Sequence, residues 1–374
     1  MSGIGIERFK GGVVRIVYGV QGTGRGHLSR LLGLKPLFDR DGHELFVIVS
    51  GYDDPPEYVF DALTDVRYEC FKGLSIIEDG AGGVSKRGTL KAFAGHLPGL
   101  FESFYRAHGM ISEFAPDLIV SDFDPITGSP FVAPGTFKVG IGNEAILSHA
   151  VAVRPPKARL DRFNVNMVRK LFTGGVDVLL GCHFYPLDDS CLPPILRPEV
   201  LSAVVENHGH LVVYHAFRGL LAPILDYAKR HSEKPIIVYG DTPPTKGGPQ
   251  NVRYETDPGR FVEDLAGCDA FVGTAGFQSV CEAFFLGKKI VVQPIASQYE
   301  QLWNAAQLEM HEMGRRFRGD LEGDLAQPFN QTLRQRLAPW YRQGARVCYE
   351  RILSYAKGTG RPDPASAAFP QAMP

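Results

Sequence analysis

A glycine-rich loop near the start of the chain ends in a histidine. Residues 22–26 read GTGRG and lead into His27, where an apolar spacing typical of a helix begins. Glycines let the backbone approach a ligand closely, and the N–H groups at a helix N-terminus favour an anion. An imidazole in this position can accept a proton near neutral pH, so His27 is a candidate general base. A polar side chain that only caps the helix is the alternative.

The same loop departs from the fingerprint of dinucleotide-binding folds. In GxGxxG the third glycine allows the helix to pack closely on the strand, and His27 occupies that position here. A nicotinamide or flavin cofactor is therefore not expected. No cysteine or histidine pair with the spacing of zinc ligands has a second pair to match, so we expect neither a metal nor any other cofactor.

Two carboxylates, Asp122 and Asp124, follow a predicted strand that ends at Ser121. The carboxyl end of a parallel strand is where such sheets bind ligands. We therefore consider Asp122 a candidate catalytic partner that orients His27. A purely structural turn is an equal alternative, and the three-residue DxD pattern is too short to indicate a metal.

A second polar cluster follows the predicted strand 270–272. Gly276 frees the loop, while Gln278 and Ser279 fall in the first turn of the next helix, where side chains and free N–H groups could hold a diphosphate. Glu282 lies one turn further on the same face, where a carboxylate can accept two ribose hydroxyls. An ordinary capped helix would explain Ser279 but gives no reason for Glu282.

A third cluster lies at the next junction of loop and helix. Glu300 and Gln301 are well suited to bind several sugar hydroxyls, and Asn304 follows on the same helix. Taken alone, the glutamate could simply complement the helix dipole. Because the second and third clusters follow neighbouring strands, a binding site is the favoured interpretation.

The elements around these clusters predict an α/β fold. Buried β-branched runs alternate with helical patterns in both halves of the chain, which indicates two doubly wound, Rossmann-like domains facing a central cleft. We predict a mobile N-terminus at 1–12, an N-terminal acceptor-side domain at 13–190, a linker at 191–205, a C-terminal donor domain at 206–328, a helix returning to the N-terminal domain at 329–357 and a disordered tail at 358–374.

Composition narrows the classes of protein further. The chain has 374 residues, 44% of them hydrophobic, which is enough apolar area for two cores. Its net charge of −1 argues against nucleic acid as a partner. Six scattered cysteines and the lack of a secretory leader or membrane-spanning run predict a cytoplasmic protein.

The three clusters together resemble a known group of enzymes. The pattern Gly276-x-x-Ser279-x-x-Glu282, then Gly287, Pro294 and Glu300-Gln301-x-x-Asn304-Ala305, is similar to the donor-sugar motif of GT-B glycosyltransferases. The motifs are similar to those of the MurG and UDP-glucuronosyltransferase-like families, and they resemble more strongly a poorly characterised bacterial and archaeal glycosyltransferase-like branch. The loop around Gly24 and Gly26 is similar to the glycine loop of these families.

The resemblance implies an inverting, metal-independent glycosyltransferase of the GT-B fold. The donor would be a nucleoside-diphosphate sugar, with a UDP-sugar favoured, and a hexosyl or N-acetylhexosaminyl group would be transferred. The acceptor would be a hydroxyl compound such as a glycolipid or cell-envelope precursor. A sugar-nucleotide epimerase or hydrolase, or a sugar-nucleotide-binding protein without turnover, remains an alternative.

Roles for single residues follow from the same resemblance. Glu282 would hold the ribose, Ser279 and Gln278 the diphosphate, and Glu300 and Gln301 the transferred sugar, while Gly24, Gly26, Gly276 and Asn304 would complete the donor site. His27 would take the proton of the acceptor hydroxyl. Thr274 stands where the plant-like pattern has a histidine that touches the diphosphate, so the phosphate contacts there would differ.

The stretch 151–170 is basic and carries Arg and Lys at six positions against one Asp. Such a segment could bring the protein to the inner face of a membrane through weak contact with anionic headgroups. A solvated helical face is the other interpretation.

Overall fold

The structure is a computed structural model that describes residues 12–22, 25–51, 55–72, 86–148, 159–215, 220–240, 248–296 and 298–359. Side chains are described for all of these except 86–98, 148, 159–165 and 215. Three parts of the predictions therefore lie outside the described residues. They are Gly24, residues 151–158 of the basic stretch, and residues 1–11 and 360–374 of the predicted terminal segments 1–12 and 358–374.

The first half of the chain forms a six-stranded parallel sheet in the order β3-β2-β1-β4-β5-β6. Its central strands are buried on both faces, as their runs of Val, Ile and Leu predict. The strands are β1 (Arg15–Gln21), β2 (Glu44–Ser50), β3 (Arg67–Phe71), β4 (Leu118–Asp122), β5 (Lys138–Gly142) and β6 (Val178–Gly181).

The second half repeats this architecture with the strand order β12-β11-β10-β7-β8-β9. All pairs within it are parallel too. The strands are β7 (Leu211–His215), β8 (Ile236–Gly240), β9 (Val252–Glu255), β10 (Ala270–Gly273), β11 (Lys289–Val292) and β12 (Arg315–Arg316). The predicted pair of doubly wound α/β units is confirmed.

Helices cover both faces of each sheet, and none that the structure describes is long and apolar enough to cross a membrane. They are α1 (Gly26–Arg40), α2 (Glu57–Ala62), α3 (Lys86–Phe114), α4 (Arg159–Thr173), α5 (Pro198–Ser202), α6 (Leu221–Arg230), α7 (Phe261–Gly267), α8 (Phe277–Phe285), α9 (Tyr299–Met310), α10 (Leu321–Leu325), α11 (Gln331–Arg342) and α12 (Gly344–Ala356).

The last helix packs against the first sheet's helix α1. Tyr349 of α12 bonds through its hydroxyl to Asp41 Oδ2 at 2.5 Å and lies 3.1 Å from His43 Nε2. On α11, Tyr341 donates to the carbonyl of Phe184 at 2.9 Å. The two tyrosines are buried, so the end of the chain joins the core of the N-terminal half.

The segment between the two sheets has structure of its own. Leu192 pairs with Cys182 in an isolated parallel bridge, which extends the edge beyond β6. Ile195 and Leu196 are fully buried, and α5 lies within the predicted linker 191–205. This segment is therefore packed on both halves rather than extended between them.

Candidate active site

The site begins where the strand order of the first sheet changes direction, between β1 and β4. Val20 pairs in register with Asp122, so the ends of these two strands lie side by side. The chain leaves β1 through the glycine loop and enters α1, which brings His27 over the end of β4. His27 Nδ1 lies 2.7 Å from Asp122 Oδ1. Crevices of this kind, at a change in strand order, are where doubly wound sheets bind ligands.

Asp122 is fully buried and held by three side chains. Besides His27, it accepts from Arg30 Nε at 2.8 Å and Nη2 at 2.5 Å, and from the Tyr18 hydroxyl at 3.1 Å. Burial opposes ionisation, but Arg30 and His27 outweigh it, so the pKa of Asp122 lies below its ordinary value. Asp122 is therefore a fixed carboxylate near neutral pH.

Two neighbours of His27 Nδ1 favour different tautomers. A carboxylate can only accept, so the short contact to Asp122 is satisfied when His27 Nδ1 carries the proton and donates it. Arg30 Nη2 lies 2.6 Å from the same nitrogen and can only donate, so that contact favours an unprotonated Nδ1. In the tautomer that satisfies Asp122, Nε2 carries the lone pair and can act as a base. The helix start itself has no side-chain cap, so the structure gives no support to the capping alternative for His27.

A cavity of about 920 Å³ lies between the two halves. His27 and Arg30 line it from the N-terminal half, and the start of α8 lines it from the C-terminal half. The halves come close here, because a Cβ on Gly26 would lie 3.5 Å from the Cβ of Gln278. The volume of the cavity lies within the usual range for small-molecule sites.

The predicted donor residues at α8 converge on this cavity. Those that line it are Thr274, Gly276, Gln278, Ser279 and Glu282. Gly276 precedes the helix in an extended conformation without a side-chain cap, so backbone N–H groups of the first turn remain open to a ligand. Gln278 also has a structural role, because its Nε2 donates to the Ile195 carbonyl at 2.9 Å and to Glu282 Oε1 at 3.2 Å.

Glu282 is buried and paired with an arginine of the interdomain segment. Arg197 Nη2 lies 3.2 Å from Glu282 Oε2, and its Nε lies 3.3 Å from Oε1. Both residues line the cavity. The two contacts with the Arg197 guanidinium thus fix the position of the Glu282 carboxylate at the cleft.

Two residues of the third cluster line the cavity, and the third supports the cavity wall from behind. Glu300 and Gln301 line the cavity, and Gln301 Oε1 accepts from the Ile295 N–H at 3.0 Å. Asn304 corrects the expectation of a donor contact, because it is fully buried behind the wall. Its amide donates to the Ala275 carbonyl at 2.9 Å and accepts from Asn143 at 3.0 Å. Asn304 therefore positions the loops of both halves.

The two aspartates of the DxD pattern point to different places. Asp122 faces His27, whereas Asp124 is buried and bonds to Ser50, and to the N–H and hydroxyl of Thr127. Among the residues that the structure describes, no three His, Cys, Asp or Glu side chains are grouped to hold a metal ion.

Sequence reasoning missed three residues of the site. Arg30 lies one turn after His27 on the same helix face, a spacing that could have identified it. Glu144 follows the end of β5, so the rule that selected Asp122 also applies to it. Arg197 lies in the predicted linker, and no sequence signal marks it.

Glu144 and Glu300 bring two carboxyl groups to the same cavity from opposite halves of the chain. Burial raises the pKa of Glu300, and the charge of Glu144 raises it further. The charge of Arg30 and a hydrogen bond with Asn304 act in the opposite direction and do not cancel this.

Comparisons with known proteins agree with this geometry. The model of the family described as glycosyl transferase family 1 matches residues 14–333, which span both sheets and the cavity between them. The chain belongs to glycosyl transferase family 1. This glycosyltransferase therefore has the activity class that its glycine loop and donor-like clusters predict. No curated protein is similar enough in sequence to count as a relative.

Solved structures show that this glycosyltransferase has the GT-B fold. The calicheamicin glycosyltransferase CalG4 is 16% identical with a TM-score of 0.58, covering 92% of this chain and 98% of its own. UGT2 of Phytolacca americana, complexed with UDP-2fluoro-glucose and pterostilbene, is 13% identical with a TM-score of 0.56, covering 93% and 97%. MurG of Acinetobacter baumannii is 12% identical with a TM-score of 0.53, covering 91% and 99%. The predicted GT-B fold is confirmed.

Proposed function

We propose that this glycosyltransferase moves a sugar from a nucleoside-diphosphate sugar to an acceptor hydroxyl, with inversion at the anomeric carbon and without a metal ion. The observation that carries the proposal is the contact of 2.7 Å between His27 Nδ1 and Asp122 Oδ1 at the wall of the cleft. In the tautomer that donates from Nδ1 to Asp122, Nε2 would be the base in a cavity whose opposite wall carries the start of α8.

The chemistry is a single displacement. The acceptor hydroxyl gives its proton to His27 Nε2 while its oxygen forms a bond to the anomeric carbon of the donor sugar. The bond between that carbon and the diphosphate oxygen breaks, and the electron pair leaves with the diphosphate. Asp122 stabilises the imidazolium that results, as a buried carboxylate paired with an imidazole does. Because attack comes from the face opposite the leaving group, the configuration inverts.

The donor would lie along α8 and α9. The open N–H groups at the start of α8 and its helix dipole would stabilise the charge on the departing diphosphate, with Ser279 and Thr274 beside it. The Nε2 of Gln278 already donates to Ile195 and Glu282, and its Oε1 can only accept, so Gln278 would accept from a hydroxyl of the donor rather than hold the diphosphate. Glu282 would accept the ribose hydroxyls, and Glu300 and Gln301 would contact the transferred sugar.

A UDP-sugar is the preferred donor in this proposal, with a hexosyl or N-acetylhexosaminyl group transferred. The UGT2 structure, which contains UDP-2fluoro-glucose, offers a precedent for this nucleotide on the same fold. The acceptor would be a glycolipid or cell-envelope precursor. Met167 and Leu171 of α4 are more than half exposed, and they could meet the apolar part of such an acceptor or a membrane surface.

A thermal-shift panel across UDP, dTDP, GDP and CMP, each with matching sugars, tests the donor. The true nucleotide should raise the melting temperature in proportion to RT ln(1 + [L]/Kd). With that donor and an acceptor library, NMR of the glycoside should show an inverted anomeric centre, and EDTA should leave the rate unchanged. A retained configuration or an EDTA-sensitive rate would contradict the proposed mechanism. Release of free sugar alone would indicate a hydrolase.

A further inference from the structure

Two of the carboxyl groups that line the cavity, at the ends of β5 and α9, have no ion-pair partner among the described residues. Asp122 is paired with Arg30, and Glu282 with Arg197. In the described part of the chain, no ion pair within 4 Å reaches Glu144 or Glu300. Both residues nevertheless line the cavity. When ionised, they bring two negative charges to the cavity for which the described residues supply no cation within 4 Å.

Glu144 is built into its place rather than free at the surface. Only 6% of the residue is exposed, and its Oε2 has no hydrogen-bond partner. A Cβ on Gly142 would collide with this oxygen, so the glycine at the end of β5 makes room for the carboxylate. A buried carboxylate oxygen without a donor destabilises the folded protein unless a ligand supplies a donor.

Arg30 does not fill this need. Its Nε and Nη2 both donate to Asp122, at 2.8 and 2.5 Å. Its charge is felt by Glu144 and Glu300 at longer range and does not prevent the mutual repulsion of the two carboxyl groups. A ligand that brings its own positive charge would satisfy both carboxylates and would also join the two halves of the cleft.

From this arrangement we propose that Glu144 and Glu300 form a subsite for an ammonium group on the transferred sugar, so that the transferred group is an aminohexosyl group with a free amine rather than a neutral hexosyl or an N-acetylhexosaminyl group. The proposal rests on the proposed function, because Glu300 is expected to contact the donor sugar. An ammonium has three donors and one positive charge, which two carboxylates from opposite walls can share. A neutral sugar would place a hydroxyl opposite Glu144 Oε2. It would bring no positive charge to offset the charges of the Glu144 and Glu300 carboxylates.

Binding of matched nucleotide sugars tests this subsite. Calorimetry would first identify the bare nucleoside diphosphate that binds most tightly. Its sugar derivatives with a free amine at C2, C3, C4 or C6 would then be compared with their hydroxyl counterparts. We expect one amine to bind roughly 10- to 100-fold more tightly than its counterpart, the range for charged hydrogen bonds. Glu144→Gln should remove most of this preference while affinity for the bare nucleotide stays unchanged.

The matched control is Asp61→Asn, because Asp61 is an exposed carboxylate at the same cavity. It should keep the amine preference. Circular dichroism and the melting temperature would verify that Glu144→Gln is folded, and Glu300→Gln gives a second variant that should lose the preference.

Three results would overturn the subsite. In the first, every hydroxyl sugar binds as well as its amine; in the second, the preference persists in Glu144→Gln and Glu300→Gln. In the third, Glu144 strengthens the binding of free amino sugars but not of nucleotide-linked amino sugars. The ammonium group would then belong to the acceptor and not to the donor. Failure of all nucleoside diphosphates to bind would instead reject the proposed function itself.

Discussion

Arg197 and Glu282 form a two-point ion pair, with distances of 3.2 and 3.3 Å, between the interdomain segment and helix α8. The carboxylate that we expect to hold the ribose is therefore oriented by a residue that belongs to neither sheet. Both side chains line the cleft. The Glu282 carboxylate would therefore both bind the nucleotide and hold the interdomain segment in place.

Glu282→Ala should weaken nucleotide binding by about 2–3 kcal/mol, the scale of a charged hydrogen-bonded contact. Calorimetry with the nucleoside diphosphate measures this loss. A folded variant with unchanged affinity for both nucleotide and nucleotide sugar would reject the donor site at α8. Glu263→Ala on the neighbouring helix α7 is a suitable control, because that residue is exposed and does not line the cavity.

His27→Ala should lower the rate of transfer by roughly 10²- to 10⁴-fold, the usual contribution of a positioned general base. Nucleotide binding should stay nearly unchanged, since the expected donor contacts are mainly on α8 and α9. Slow hydrolysis of the donor should fall less than transfer. Product formation by chromatography, with the exposed His208→Ala as control, measures the effect. A normal transfer rate would make His27 a structural residue.

Glu300→Gln should change the pH dependence of stability. Folding raises the pKa of Glu300, chiefly through burial and secondly through Glu144, so the folded state binds this proton more tightly than the unfolded chain. The stability of the wild-type protein must then fall as pH rises from the ordinary carboxyl range through the raised pKa. Glutamine removes that loss.

The melting temperature of Glu300→Gln should therefore match the wild type near pH ~5 and exceed it increasingly toward pH ~8. Scanning fluorimetry across this range provides the measurement, and Asp61→Asn should show no such trend. A difference that is constant with pH would contradict the raised pKa of Glu300.

Tyr349→Phe should lower the free energy of unfolding by about 1–3 kcal/mol, because it leaves buried groups of Asp41 and His43 without the hydroxyl that they contact. Urea denaturation gives the value. Tyr105→Phe is the control, since Tyr105 is 81% exposed. Equal stability of both variants would show that the contact between α12 and α1 contributes little.

The positions of His27 and Asp122 could be predicted because both lie at the carboxyl ends of strands. In parallel sheets these ends meet at one edge, so a short sequence pattern already fixes their neighbourhood. The same rule applies to Glu144, which follows β5. The sequence-based prediction passed over it because no second motif residue stands beside it.

Arg197 and Asn304 show where sequence reasoning ends. The contact of Arg197 with Glu282 spans 85 residues and depends on how the interdomain segment folds back over α8. Asn304 lies in the family-like motif, yet the register of α9 turns it away from the cavity toward Asn143 and Ala275. A spacing pattern identifies the helix face only approximately, and packing decides which residues reach the ligand.

The packing of α12 on α1 determines how the protein would behave if its chain were cut into two fragments. Phe38 and His43 of the first half lie against Tyr349, which the ribosome adds more than 300 residues later. A fragment cut within 191–205 would expose this apolar surface, and the remaining fragment would carry the helix that covers it. The two pieces are thus natural partners for reassembly in trans, whereas the N-terminal piece alone is expected to aggregate.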